Sequence, residues 1–279
     1  MTHSARVIAD SISPDNLRIT TLEVVFPRIV LAEFNTHRMF SRNSASSRAI
    51  PVEKMIESVS TNPYIPTHWG KNQKGMQADR EINEHDARIA EVIWLDAIRI
   101  AIKQARDLLE IGVHKQITNR LLEPFMWHTV IITATEWDNF FHLRCNKDAH
   151  PEIRIVAEKM REAIEKSKPQ SLDYGDWHLP YSDNRRHAID GWKDISVGRC
   201  ARVSYLTHTG IRDPEEDIAL AQRLLKAGHM SPFEHVAKPI TKEFAEHHGW
   251  WCGNFHGWIQ YRKEIPMESD ILGEQHERR

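Results

Sequence analysis

Cysteine is scarce: the 279-residue chain holds three, Cys145, Cys200 and Cys252, and none forms a CxxC pair. An odd count without that spacing argues against both a disulfide framework and a zinc knuckle. Charge of one sign is lacking too, since 37 Lys and Arg face 39 Asp and Glu for a net charge of −2. No global field draws the chain to nucleic acid or an anionic membrane, so any phosphate recognition has to come from a local cluster of cations. Long hydrophobic runs are also missing. Nothing approaches the roughly 18 apolar residues of a membrane span, and the opening MTHSARVIADS has no apolar signal segment. Together these absences predict a cytoplasmic protein with neither a membrane nor a DNA partner.

What is present is 41% hydrophobic and 27% charged, the make-up of an ordinary globular chain long enough to bury a sizeable core. Its 17 histidines and 9 tryptophans read, on composition alone, as core and surface aromatics rather than a ring-stacking site. After a polar start, residues 17–34 are β-branched and apolar and predict a strand, interrupted at Pro27 by a bend or an edge position. Pro51 opens a short helix, and apolar residues from Ile82 to Leu109 recur at helical spacing over 79–111, closed by Gly112. A shorter helix over 115–122 stops before Pro124. The run 127–145 reads as apolar helix, its first half open to a strand reading, and 150–168 as an amphipathic helix. A polar loop over 169–190 connects to a second helical portion, which includes 213–228 with an Asp cap and Pro at its first position.

The stretch HRMFSRNSASSRAIP, residues 37–51, packs four serines and three arginines between short apolar residues. Guanidinium forks, hydroxyls and backbone amides suit a phosphate, yet the same composition also describes a solvated loop. Arg120 and Arg144 lie near the ends of apolar segments, where a helix C-terminal charge is the plainer reading. In GHMSPFEH, Ser231 followed by Pro232 looks like a new helix cap, a possible anion site or an ordinary connection. His247, His248, His256, Glu246 and Cys252 are the best metal candidates, but they form no HExxH or CxxC pattern, and no metal is predicted.

Taken together the segments resemble the flavin-dependent thymidylate synthases. That family's signature has the form RHRxxSxNExSxR, and this chain reads THRMFSRNSASSR over 36–48. It matches at His37, Arg38, Ser41, Asn43, Ser46 and Arg48, and departs at Thr36 and Ser44. The stretches EIGVHKQITNRLLEP and TATEWDNFFHLRCNKDAHPEIRIVA resemble the family's helical region and supply Arg120, Asn139, Arg144 and Glu152. CARVSY and LLKAGHMSPFEH resemble its flavin-side segment, with Ser204, His229, Ser231 and Glu234. In the family this last portion comes first, so the order here looks circularly permuted.

The resemblance implies an α+β fold, a mixed or antiparallel sheet flanked by long helices. It implies one domain over 1–279, with 17–168 and 191–240 carrying the likeness. It further implies reductive methylation of dUMP, with methylenetetrahydrofolate as carbon donor and FAD reduced by NADPH, in a homotetramer. By carry-over, Arg144 is the catalytic cation near N3 of the pyrimidine. Glu33, Thr36, Ser44, Ser46, Ser47, Arg48 and Arg120 fall at nucleotide positions, and Thr36, His37, Arg38, Asn43, Ser44, Thr133, Thr135, Asn139, Ser204, His229, Ser231 and Glu234 at flavin positions. Glu33 stands where the family has Gln, and an ionised carboxylate only accepts hydrogen bonds, which suits an exocyclic amino group. Arg144 argues the other way, because cytosine has no N3 proton to lose. Methylation or hydroxymethylation of another pyrimidine nucleotide such as dCMP, and a non-catalytic nucleotide- or RNA-binding relative, are the competing readings.

Overall fold

The first two strands of the sequence pair with each other. In the computed structural model, which describes residues 2–182, 191–207 and 213–266, β1 (Ser4–Ile12) runs antiparallel to β2 (Arg18–Pro27). The polar start is therefore a strand, missed because one of its faces is half exposed. The predicted strand ends at Pro27 rather than bending there. A helical turn, Arg28–Val30, and α1 (Leu31–Phe34) follow, because proline cannot donate to the ladder and Leu-Ala-Glu-Phe favours helix.

β3 (Ser41–Ser44) and β4 (Trp127–Ala134) complete the antiparallel part of a five-stranded sheet of order β3-β4-β2-β1-β5, in which β5 (Gln170–Ser171) pairs parallel to β1. The helix reading of 127–145 thus holds for α5 (Asp138–Arg144), and the strand reading left open for its first half is β4. β4 is buried on both faces, so its sequence carries no alternation to separate a strand from a core helix. The connecting loop contributes β5, and its residues 183–190 lie outside the described residues.

Leu22, Val24 and Phe26 of β2 and Val130, Ile132 and Ala134 of β4 face α6 (Pro151–Lys166) through Ile153, Val156 and Met160. The opposite face meets α7 (Trp192–Ala201), where Ile131 packs on Cys200 and Val203. α8 (Pro214–Lys226), capped by Asp213 with Pro214 at its first position, packs on α7.

A second core joins α2 (Val52–Thr61) to α3 (Glu84–Glu110), and α4 (Lys115–Thr118) follows. Of the apolar residues expected to form the inner face of α3, Ile98 and Ile102 are buried, whereas Ile89, Val92 and Ile93 are 47%, 56% and 64% exposed. The core is reached from Trp94 and Leu95 onward, and the turns of α3 before them stand clear of it. The predicted helix at Ser231 is a single 3₁₀ turn, Ser231–Glu234, entered from Met230, so Ser231 caps nothing.

The last described strands are β6 (Ala237–Pro239), followed after α9 (Lys242–His248) by the hairpin β7 (Trp251–Cys252) and β8 (Phe255–His256), and β9 (Trp258–Gln260), which pairs with β6.

Candidate active site

The serine-rich stretch is neither a free loop nor a helix. Its first part is β3, the edge strand on β4, with Ser41 opposite Thr133 and Ser44 opposite Val130. The pairing continues through the Ala45 amide to the Thr129 carbonyl at 2.9 Å. Alternation along a strand turns Ser41 and Asn43 to one face, where both are buried, and Arg42 and Ser44 to the other. Beyond β3 the backbone is pinned from outside. Asn119, fully buried, donates through Nδ2 to the carbonyls of Ser47 (2.6 Å) and Ile50 (3.0 Å), and Lys115 Nζ donates to that of Ala49 (2.9 Å).

These ties hold one wall of a cleft of about 470 Å³. Asn43, Ser46 and Arg48 come from the serine-rich stretch, Ser204 and Tyr205 from the turn after α7, and His229 and Ser231 from the connection after α8. His114, Lys115 and Gln116 at the start of α4 close it. Hydrogen bonds bind the walls together: Asn43 Nδ2 donates to the Cys200 carbonyl at 2.9 Å, and Ser231 Oγ donates to Asn43 Oδ1 at 3.2 Å. The Ser46 amide donates to the Ser204 carbonyl at 3.0 Å. Arg48 and Lys115 supply positive charge beside hydroxyls of Ser46, Ser204 and Ser231, a donor set suited to an anionic, oxygen-rich ligand.

A second group forms at the other end of the stretch. Arg144, last residue of α5, donates through Nε to His37 Nε2 at 2.8 Å and through Nη2 to Thr36 Oγ1 at 3.4 Å. Thr36 Oγ1 gives its own proton to the Glu33 carbonyl at 2.6 Å, so it faces Arg144 as an acceptor. Burial, then the charges of Arg144 and Arg42, lower His37 to a pKa of about 4. The imidazole is therefore neutral at pH 7 with its proton on Nδ1, because Nε2 has to accept from Arg144.

Several carried-over residues are not brought to the cleft. Ser47 is buried and donates to Glu123 Oε1 at 2.6 Å, and Arg120 pairs with the same carboxylate at 2.6 Å. Thr133 is fully buried between Thr21 Oγ1 (2.7 Å) and His235 Nδ1 (2.8 Å). Thr135 accepts from the His256 amide at 2.9 Å, and Glu234 pairs with Arg262. Ser44 sits on the opposite face of β3 from Asn43, while Glu33, Arg38 and Asn139 are exposed. Glu152 is buried at the start of α6, where Nε2 of His3 lies 2.8 Å away. His114, Lys115, Gln116 and Tyr205 escaped the sequence reading, because nothing in their local spacing marks a cleft wall.

Residues 13–170 match the family model described as thymidylate synthase complementing protein. The chain is 30% identical over 152 residues to a flavin-dependent thymidylate synthase of Aquifex aeolicus, covering 52% of this chain and 44% of that one. It is 28% identical over 141 residues to that of Pyrococcus abyssi, covering 50% and 51%. The chain thus spans about half the length of the curated relatives it matches. Among solved structures it resembles a UMP/dUMP methylase, PolB, from Streptomyces cacaoi bound with 5-Br dUMP. There the TM-score is 0.47 at 17% identity, over 59% of this chain and 90% of that one. Thymidylate synthase X from Helicobacter pylori with FAD and dUMP gives 0.36 at 18% identity, over 52% and 67%. With more than half its length under that family model, the chain belongs to the thymidylate synthase complementing protein family.

Proposed function

We propose that this chain is a flavin-dependent enzyme that methylates a pyrimidine deoxynucleotide monophosphate, with dUMP as the first substrate. In this reading methylenetetrahydrofolate gives the carbon and FAD reduced by NADPH gives the hydride. The observation that carries it is the convergence of Ser46, Arg48, Ser204, His229 and Ser231, from segments far apart in the chain, on one cleft with Lys115. Arg48, Lys115 and the Ser46 hydroxyl fit a phosphate; Ser204, His229 and Ser231 fit the flavin side. Thr133 and Thr135 do not, since their hydroxyls are already engaged within the fold. When bound, the flavin supplies the redox chemistry.

The chain's own part is positioning and electrostatics. Arg144, held on its Nε side by His37, keeps other N–H donors of its fork for an anion developing on a pyrimidine ring. A neutral His37 serves this role, because a protonated one would repel the guanidinium.

The sequence departure at Glu33, a carboxylate where the family has Gln, motivates dCMP, with methylation or hydroxymethylation, as a second reading, although Glu33 is exposed outside the cleft. Tritium release from C5-labelled dUMP and dCMP, with folate and reductant supplied, separates the two. Release from neither, by a protein that binds nucleotide but takes up no flavin, would sink both and leave a binding protein.

Two further readings belong with this one. The family's segments occur here in permuted order, which the sharing of one cleft by residues 43–48 and 204–231 supports. The chain is also a homo-oligomer, supported by the exposed apolar side of α3.

A further inference from the structure

The aromatic, glycine-rich segment after α9 contributes none of the residues that line the cleft. We infer that Asn254 and Gln260 are positioning residues that set β3, and with it Asn43, against the cleft. The inference rests on the cleft being the ligand site.

Glycines bring the segment into reach. Gly253 (φ +63°) lets the β7–β8 hairpin turn tightly, and Gly257 (φ +76°) passes so close to Leu17 that a methyl group there would collide with its side chain. The hairpin tip then meets the signature stretch. Asn254 Nδ2 donates to the Met39 carbonyl at 3.0 Å and to Ser41 Oγ at 3.2 Å. Gln260 Nε2 donates to Ser41 Oγ at 3.1 Å and to Asn254 Oδ1 at 2.7 Å.

Both amide protons of each side chain are thus placed, and they converge on a hydroxyl that is 1% exposed. Water has little access to replace a lost partner, so removing one donor leaves a buried group unsatisfied. Ser41 and Asn43 share a face of β3, two residues apart on an edge strand supported by β4 alone on its ladder side. A shift at Ser41 is therefore passed to Asn43, whose amide ties Ser231 and Cys200 together. Arg262, two residues beyond Gln260, pairs with Glu234 at the end of the Ser231 turn. One short segment therefore braces both walls. Packing of that segment is carried by other groups, chiefly Trp258, which is fully buried and donates to the Leu17 carbonyl at 3.2 Å.

The test compares Gln260→Leu and Asn254→Ala with Trp258→Phe, a packing change in the same segment that leaves the Ser41 contacts in place. Amide exchange over residues 39–46 of the ligand-free full chain, thermal midpoints and the dissociation constant for dUMP are measured on all of them. The expected result is faster exchange over 41–46 and roughly tenfold weaker dUMP binding in the first two variants, the size set by one lost buried hydrogen bond. Trp258→Phe should lower the midpoint while leaving both readouts unchanged. Asn254→Ala, at a hairpin tip, keeps the test open if Gln260→Leu does not fold. Unchanged exchange in both amide variants, or an equal change in Trp258→Phe, would overturn the inference. If the unaltered protein binds no dUMP, the proposed function fails, and the exchange comparison still decides this point.

Discussion

Arg144 and His37 illustrate how far a pair of side chains can be specified by geometry. The 2.8 Å contact from Nε leaves His37 Nε2 no choice but to accept. Removing the cation in Arg144→Ala should raise the His37 pKa from about 4 toward its ordinary value, read by the imidazole signals in a pH titration. The same variant should lose turnover while retaining flavin, because Ser204, His229 and Ser231, proposed for the flavin side, line a cleft to which Arg144 does not contribute; normal turnover would refute the role.

Lys115 is the residue-scale addition. Lys115→Met should weaken dUMP about tenfold or more and leave deoxyuridine unaffected, since a charged hydrogen bond is worth about 1.5–3 kcal/mol. Calorimetry with both ligands checks it.

Buried histidines also give the protein its acid sensitivity. Burial, joined by Arg144 and Arg42 for His37 and by Arg28 for His128, holds these two at about 4 and about 3, and burial alone holds His235 at about 3. Their folded pKa values lie below the unfolded value near 6.5. The stabilisation is thus complete above about pH 6.5 and is lost as pH falls, because the unfolded chain takes up protons that the folded one refuses. Each withheld proton costs about 1.4 kcal/mol per pH unit. Urea midpoints should drop between pH 6.5 and 4, and a flat profile over that range would contradict the assignment.

At the scale of elements, the crossing of α7 over α8 is the most demanding. Gly198 packs against the backbone of Asp217, where a methyl group would collide with the carbonyl. The same aspartate is fully buried between Arg199 Nε (3.1 Å) and Arg202 Nε (2.5 Å). Gly198→Ala should therefore separate the helices and cost several kcal/mol, by overpacking and by loosening a buried ion pair. A urea midpoint equal to that of the unaltered protein would show that the crossing can relax. Elements with ends written into the sequence were legible. α8 has its Asp213 cap and Pro214, and α6 its apolar stripe. β4 stayed open between helix and strand, because burial on both faces erases the alternation by which a strand is recognised.

For the whole molecule, the unanswered surface is the N-terminal half of α3. Ile89, Val92 and Ile93 recur at helical spacing as a core face does, yet they are exposed in the single chain. If they meet another copy, Ile93→Lys should lower the molar mass in light scattering without altering the helical signal. An unchanged mass would assign that face another role.

The sequence by itself determined the family, through the order and spacing of THRMFSRNSASSR and the helical region that follows. It also determined the helices whose caps and stripes are local. Only the tertiary structure decided which of those residues share a cleft. Arg120 and Ser47 turn to Glu123, Thr133 into a buried seam, and Lys115 and His229 toward Ser46, through contacts between residues far apart in the chain. Such contacts follow from how buried faces stack, and local spacing along a chain does not encode them.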